Sequence, residues 1–364
     1  MSQAGQARRG GAAPPSLKSL ARQLELSPAT ISVVLNRSPV AKSIPAATQA
    51  RIFAAAAAAG YRPNILGRSL RAGRSFSIGV IVPEISEGYA ALVLAGIEDE
   101  LLQDGYFYFV ASHRHHADLL QEVPRLLLAR SVDGLIAVDT PLRRALRVPV
   151  VSISGHHELP GLTYVRLNHR RAARLALEHL AALGHRRIAF IKGQRFSSDT
   201  HVRWEAIQHA AGELGLTIDP ALVTQLEGDS PSPEPGYRAA LALLEAGRRF
   251  TALFAFNDVS AIGALRALRT RFRVPEEVSV VGFDDIVSAA YHQPALTTVR
   301  QPLRTMGELA ARTLLQRIAA PRTRFPKLVT VEPELIIRGS TARCAEVERK
   351  PEPVAHAQSG VPVA

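Results

Sequence analysis

Cysteine is almost missing from this 364-residue chain, where Cys344 stands alone, and that excludes an internal disulfide or a cysteine-rich metal site. Long apolar runs are missing as well. No stretch approaches the roughly 20 residues of a membrane span, and the opening MSQAGQARRGG is polar rather than the apolar core of a signal peptide. The chain therefore reads as cytoplasmic, with no membrane partner. It has no glycine-rich nucleotide loop, no nucleophile elbow and no clustered catalytic dyad, so no catalytic residue and no cofactor are assigned. Acid is scarce in one region in particular. Residues 1–75 hold eleven Lys and Arg against a single acid, Glu25, and so carry a net +10 of the chain's +12. Charge concentrated in this way favours a polyanionic partner, bound with an affinity that falls as salt rises.

Within that basic segment, SLKSLARQLELSPATISVVLN (16–36) has the register of a helix-turn-helix. Ser16 can cap a first helix whose apolar side is Leu17, Leu20, Ala21 and Leu24, with Ala21 small enough for a second helix to cross above it. Ser27 followed by Pro28 is a fresh start signal, a side-chain cap with proline at the first helical position. The second helix turns Ile31, Val34 and Leu35 inward and presents Ala29, Thr30, Ser32 and Val33 outward. A third helix is expected over 48–59.

From Phe76 onward, β-rich apolar runs (FSIGVIV, YFYFVAS, GLIAV, PVVSIS, then RIAFI, TALFAF, VSVVGF) alternate with amphipathic helices, among them 89–103 and 118–129. Continuous apolar strands alternating with helices imply parallel sheets covered by helices on both faces. Two such sets make two lobes with a cleft between them. In open α/β sheets, ligands sit beyond the carboxyl ends of the strands, where this chain places Ser154, Asn257-Asp258 and Asp284-Asp285. Asp258 and Asp285 are expected to cap helices. SHRHHAD carries His113, His115 and His116, but with no second cluster of ligands in view no metal is assigned.

SPATISVVLN, GYRPN, RSLRAGR with IGVIVP, LGHRRIAFI, FAFNDVSAIGALRAL, VPEEVSVVGFDD and PALTTVRQP resemble, in order and spacing, the motifs of the LacI/GalR family of bacterial transcription regulators, over about 16–340. The resemblance implies an N-terminal all-α helix-turn-helix domain (15–63), a hinge helix (64–74) and a two-lobed, periplasmic-binding-protein-like α/β domain (75–342). Tails at 1–14 and 343–364 are expected to be disordered, and the second has no leucine heptad, so a homodimer is expected. The chain would cross between lobes near Leu167, Thr298 and Val329.

The same resemblance makes 27–36 the recognition helix, with Pro28 and Ala29 as base readers and Val33 a turn later. Val33 stands where many relatives have arginine, which excludes guanine readout there. Ser16, Ser27, Thr30, Ser32 and Asn36 would serve the phosphate contacts and caps around it. In the hinge, which begins at the DNA-binding Asn64, Arg68 and Arg71 flank Leu70, the residue matching the family's minor-groove wedge. Glu25 occupies the inter-helix turn where relatives often have glycine. In the cleft, Tyr89, Ser154, Arg203, Asn257, Asp284 and Gln301 match positions that contact effector, while Ser154 and Asn168-His169 depart from the usual residues. The implied function is a sequence-specific DNA-binding repressor on a pseudo-palindromic double-stranded operator, controlled by a small molecule such as a sugar or related metabolite. A solute-binding protein of the same two-lobed fold has no use for the helix-turn-helix, and an enzyme would need a site that no motif supplies.

Overall fold

The computed structural model describes residues 16–36, 39–61, 73–85 and 88–344. Asn64, Arg68, Leu70 and Arg71, together with the two tails up to 15 and from 345, lie outside the described residues. The chain divides into two compact units, Met1–Ser75 and Phe76–Ala364.

The first unit is helical. Helix α1 (Leu17–Leu24) begins in a capping box: Ser16 Oγ accepts from Ser19 N at 3.1 Å, and the Ser19 hydroxyl accepts from Ser16 N at 2.9 Å. It ends at Glu25, which adopts φ 55° and ψ 39°. The tight turn thus takes the left-handed conformation that glycine would adopt freely, here with a side chain that resists it. Helix α2 (Pro28–Leu35) is capped by Ser27 Oγ, which accepts from Thr30 N at 3.0 Å. Helix α3 (Ala46–Ala58) starts two residues earlier than the sequence pattern suggests, directly after Pro45. Leu20, Ala21, Ile31, Val34, Ile52 and Ala56 close a small core. Leu35 and Val33 are both half-buried against it, so Val33 is less outward than its place on the helix implied.

The second unit holds two six-stranded sheets. In chain order the first lobe builds β1 (Ser77–Val82), helix α4 (Tyr89–Gln103), β2 (Phe107–Ser112), helix α5 (Leu119–Ala129), β3 (Gly134–Val138), β4 (Val150–Ile153) and β5 (Thr163–Leu167). Helix α6 (His169–Ala182) leads to the second lobe, with β6 (Ile188–Lys192), helix α7 (Ser198–Glu213), β7 (Val223–Gln225), helix α8 (Glu234–Glu245), β8 (Ala252–Ala255), helix α9 (Asp258–Leu268), β9 (Ser279–Asp284), the short helix α10 (Val287–Tyr291) and β10 (Thr297–Arg300). The chain then returns to the first lobe for helix α11 (Leu303–Ala319) and β11 (Leu328–Val331), and ends in the second with β12 (Glu334–Ile336).

Sheet orders are β11-β5-β4-β3-β1-β2 and β12-β10-β9-β8-β6-β7. Every pairing is parallel except β10 with β12. The strands are apolar on both faces because both faces are covered. In β1, Ile78, Val80 and Val82 enter one core while Ile81 enters another. Helices α4 and α11 pack backbone to backbone: a Cβ on Gly96 would strike the Arg304 carbonyl, and one on Gly307 the carbonyl of Val93.

The three crossings between lobes fall at Asn168, at Gln301-Pro302 and at Glu332-Pro333, just beyond the strands. Thr298 and Val329, expected as crossing points, are instead paired inside β10 and β11. Ordered structure runs slightly past 342, since Cys344 is buried and its N–H donates to Leu183 O at 2.8 Å.

Candidate effector cleft and DNA-binding helices

Strand ends from both lobes open onto one cleft of about 920 Å³, including its mouth. Three of those ends carry non-glycine residues in the left-handed region: Asp139 after β3 (φ 37°), Ser154 after β4 (φ 57°) and Asp284 at the end of β9 (φ 111°). Such conformations cost of order 1–3 kcal/mol each and gather where a side chain must be aimed. Tyr89, Arg203, Asn257 and Asp284 all line the cleft.

Ser154 and Gln301 belong to a layer behind it. Tyr89 donates its phenol proton to Ser154 Oγ at 2.7 Å, and Ser154 is 1 % exposed. Burial, then the charges of Asp199 and Asp139, push the Tyr89 phenol well above its ordinary value, so it stays a donor. Gln301, also buried, donates from Nε2 to Asp284 Oδ1 at 2.6 Å, and its own Oε1 has no partner. Burial pushes Asp284 up to about 7, with Arg203 and Gln301 pulling it down and Asp199 adding to the rise. Asn257 caps α9 with its side-chain oxygen, which accepts from Ser260 N at 2.9 Å, so its NH₂ is the part left for a ligand.

Arg203 is held between the Phe256 and Phe283 rings, 4.3 and 3.7 Å from their centroids. It donates to the Phe256 carbonyl and lies 3.3 Å from Asp199 Oδ2, while its Nε has no partner. The sequence reading missed Asp199, although its spacing four residues before Arg203 on one helix was the available signal. It also missed Asp139, which follows a strand as Ser154 does. Ser198 Oγ joins the lobes by donating to Asp139 Oδ1 at 2.6 Å and contacting Ser154 O at 2.8 Å. Burial and the charge of Asp199 raise the Asp139 carboxyl above the usual range. Burial would raise Asp199 too, but His169, His156 and Arg203 together hold it well below that range.

Two expected caps are corrected. Asp258 does not cap its own helix: its carboxylate, fully buried, accepts from Ile286 N at 2.9 Å and Thr298 Oγ1 at 2.6 Å, tying α9 to the turn after β9 and to β10. Burial and the charge of Asp284 raise it to about 8. Asp285 pairs with Arg300 and Arg338 at 2.7 and 2.6 Å and caps nothing. The three histidines after β2 diverge. His113 is buried and brought down to about 4 by burial and by His115, His115 stacks on Phe196 at 3.8 Å, and His116 is exposed.

In the helical unit, Ser27, Pro28, Ala29 and Asn36 are exposed along the start and end of α2, with Thr30, Ser32 and Val33 half-buried. Thr30 Oγ1 is engaged with Ser27 Oγ at 2.8 Å, and Asn36 Nδ2 donates to Ser32 O at 2.7 Å. The polar edge of this helix is thereby set in place before any partner arrives. Ser16, the cap of α1, is likewise exposed.

Residues 177–341 match the model of a periplasmic binding protein-like domain. Over 347 residues the chain is 31% identical to the HTH-type transcriptional repressor PurR of Haemophilus influenzae, covering 89% of this chain and 98% of that one. The chain belongs to the LacI/GalR family of transcription regulators. Two solved transcription regulators match over about nine-tenths of this chain. The lac repressor dimer bound to operator and the anti-inducer ONPF is 26% identical, with a TM-score of 0.76 over 91% of this chain and 100% of that one. The transcriptional regulator CelR in its cellobiose complex is 28% identical, with a TM-score of 0.66 over 90% and 99%. As a LacI/GalR member this chain is a DNA-binding transcription regulator and not a solute-binding protein alone. No helix among the described residues is long and apolar enough to cross a membrane.

Proposed function

We propose that this regulator represses transcription in the cytoplasm as a homodimer on a pseudo-palindromic operator, and that a polyhydroxylated metabolite, such as a sugar, sets its operator affinity from the cleft. The observation that carries the effector class is the convergence of a carboxyl (Asp284), an amide donor (Asn257), a guanidinium (Arg203) and a phenol (Tyr89) on one cavity. Each sugar hydroxyl offers a donor and an acceptor, so a mixed set of this kind suits it. The aromatic walls, Phe196 and Phe256, suit the C–H faces of a ring. CelR, seen with cellobiose, shares the fold and length of this chain. Ser154 and Gln301 would act by positioning Tyr89 and Asp284.

On the DNA side, Pro28, Ala29 and Val33 would face base edges, where a small apolar surface selects by thymine methyl contact or by steric fit. Ser16, Ser27, Thr30, Ser32 and Asn36 would serve phosphates, and Asn64, Arg68, Leu70 and Arg71 the minor groove. Lobes that are crossed three times and joined by Ser198 to Asp139 give a ligand in the cleft a way to change lobe geometry.

The test is a thermal-shift screen of hydroxylated metabolites on the full chain, then calorimetry on each hit and anisotropy on a selected operator with and without it. The expected result is a hit that binds once per chain and changes operator affinity severalfold. Hits that bind without any effect on operator affinity would refute the regulatory coupling.

A further inference from the structure

We propose that His156, His169 and Asp199 bind a divalent transition-metal ion of the zinc, cobalt or nickel kind, which ties one lobe to the other. His156 lies in the turn after β4 of the first lobe, Asp199 in the first turn of α7 in the second, and His169 at the start of α6, where the chain makes its first crossing. Their donor atoms all lie within 4.8 Å of one another.

Hydrogen bonding alone accounts poorly for this cluster. Both imidazoles bring Nε2 close to a single carboxylate oxygen, Asp199 Oδ1, at 2.7 Å for His156 and 3.4 Å for His169. His169 makes no hydrogen bond with either ring nitrogen although it is 5 % exposed. A buried polar atom without a partner is costly, and a cation accepting the Nε2 lone pair removes the share of that cost that Nε2 carries, leaving Nδ1 as the N–H. The ring is already oriented, stacked against Phe283 with 17° between planes.

Donor spacing is within reach. With bonds of about 2.0 Å, tetrahedral ligands stand roughly 3.3 Å apart; the separation of His169 from Asp199 already fits, the His156 contact must open by roughly half an ångström, and the two imidazoles, whose donors lie within 4.8 Å, must draw together to that spacing. Asp199 can ligate through Oδ1 while Oδ2 keeps its contact with Arg203 at 3.3 Å, an outer-shell arrangement common around metal-bound carboxylates. Two imidazoles and a carboxylate suit zinc, cobalt and nickel better than magnesium or calcium. Three protein ligands leave a coordination position open, and the nearby guanidinium favours an exchangeable ion over a permanent structural one.

The test uses the full chain, stripped with a chelator and titrated with Co²⁺, without effector or operator, so its outcome is separate from the effector reading. One Co²⁺ per chain is expected, with visible absorption of four- or five-coordinate cobalt, displacement by Zn²⁺ and a rise in Tm. His156→Gln sits on a half-exposed turn and His169→Gln tests the buried ligand. Each, with an unchanged circular dichroism spectrum, should weaken Co²⁺ binding at least about tenfold and abolish the rise in Tm. Absence of the cobalt spectrum at stoichiometric metal, or full binding in both variants, as from the 113–116 histidines, would overturn the proposal.

Discussion

Asp284→Asn separates what this carboxylate does for binding from what it costs the fold. The amide keeps the volume and can keep the contact from Gln301 Nε2 to Oδ1, 2.6 Å in the wild type, while removing the charge. A carboxylate that accepts from an effector hydroxyl contributes about 1.5 to 3 kcal/mol as a charge-assisted hydrogen bond. At about 1.4 kcal/mol per decade, its loss weakens effector binding roughly tenfold to roughly a hundredfold. Stability moves the other way. Because the native carboxyl sits at about 7 instead of 3.8, the native state holds a proton that the unfolded chain has already released. Stabilisation from this group is complete below about 3.8 and is lost as pH rises through about 7, a loss of at most about 4 kcal/mol by pH 8.

The variant has no such titration, so its Tm relative to wild type should climb from pH 5 to pH 8. Over the same range wild-type effector affinity should rise through about pH 7 as Asp284 ionises, and the variant's should stay flat. Calorimetry and thermal melts at pH 5, 6, 7 and 8 read both quantities. An unchanged effector affinity with the wild-type pH slope intact would place the ligand elsewhere, and a variant whose relative Tm fell with pH would refute the electrostatic reasoning.

Glu25→Gly should stabilise the helical unit by up to about 1 kcal/mol, because relief of a left-handed side chain outweighs the extra entropy of glycine in the unfolded chain; calorimetry of the full chain reads it as a higher midpoint for that transition, and a lower midpoint would contradict the strain. Gly96→Ala should cost about 3 kcal/mol or more, since its methyl meets the Arg304 backbone and not a movable side chain; a urea midpoint equal to wild type would show that α4 and α11 can separate freely. Leu70→Ala should weaken operator binding and lessen the DNA bend while effector affinity is kept, and an unaltered bend angle by gel mobility would remove Leu70 as the wedge.

Caps and periods made much of this fold legible. Ser16, Ser27 and Pro28 announce two helix starts within a dozen residues, and the apolar runs are so continuous that parallel, doubly covered strands are the only economical reading. The helix over 89–103 begins and ends where its pattern does. Less was readable in the cleft, because roles there depend on partners distant in sequence. Ser154 looks like a ligand contact until Tyr89, 65 residues earlier, is seen to rest on it. Asp258 looks like a cap because it opens a helix, yet Thr298 and Ile286 claim its oxygens. His156 carried no signal of its own. Its meaning comes from Asp199, 43 residues on, across a lobe boundary. The crossings were displaced by a few residues because strand pairing holds Thr298 and Val329 in their sheets until the following proline ends each strand.

The weaving of the final segments through both sheets has a consequence for synthesis. Neither sheet of the sensor is complete until the ribosome has delivered β11 and β12, the first of which pairs with β5, made long before, whereas the helical unit needs only residues from the first fifth of the chain. Domains generally fold as units in the order they emerge, so a nascent chain carries a finished DNA-binding head well before it has anything that can sense. A ribosome that stalls or terminates near residue 325 would release such a head with two unclosed sheet edges attached.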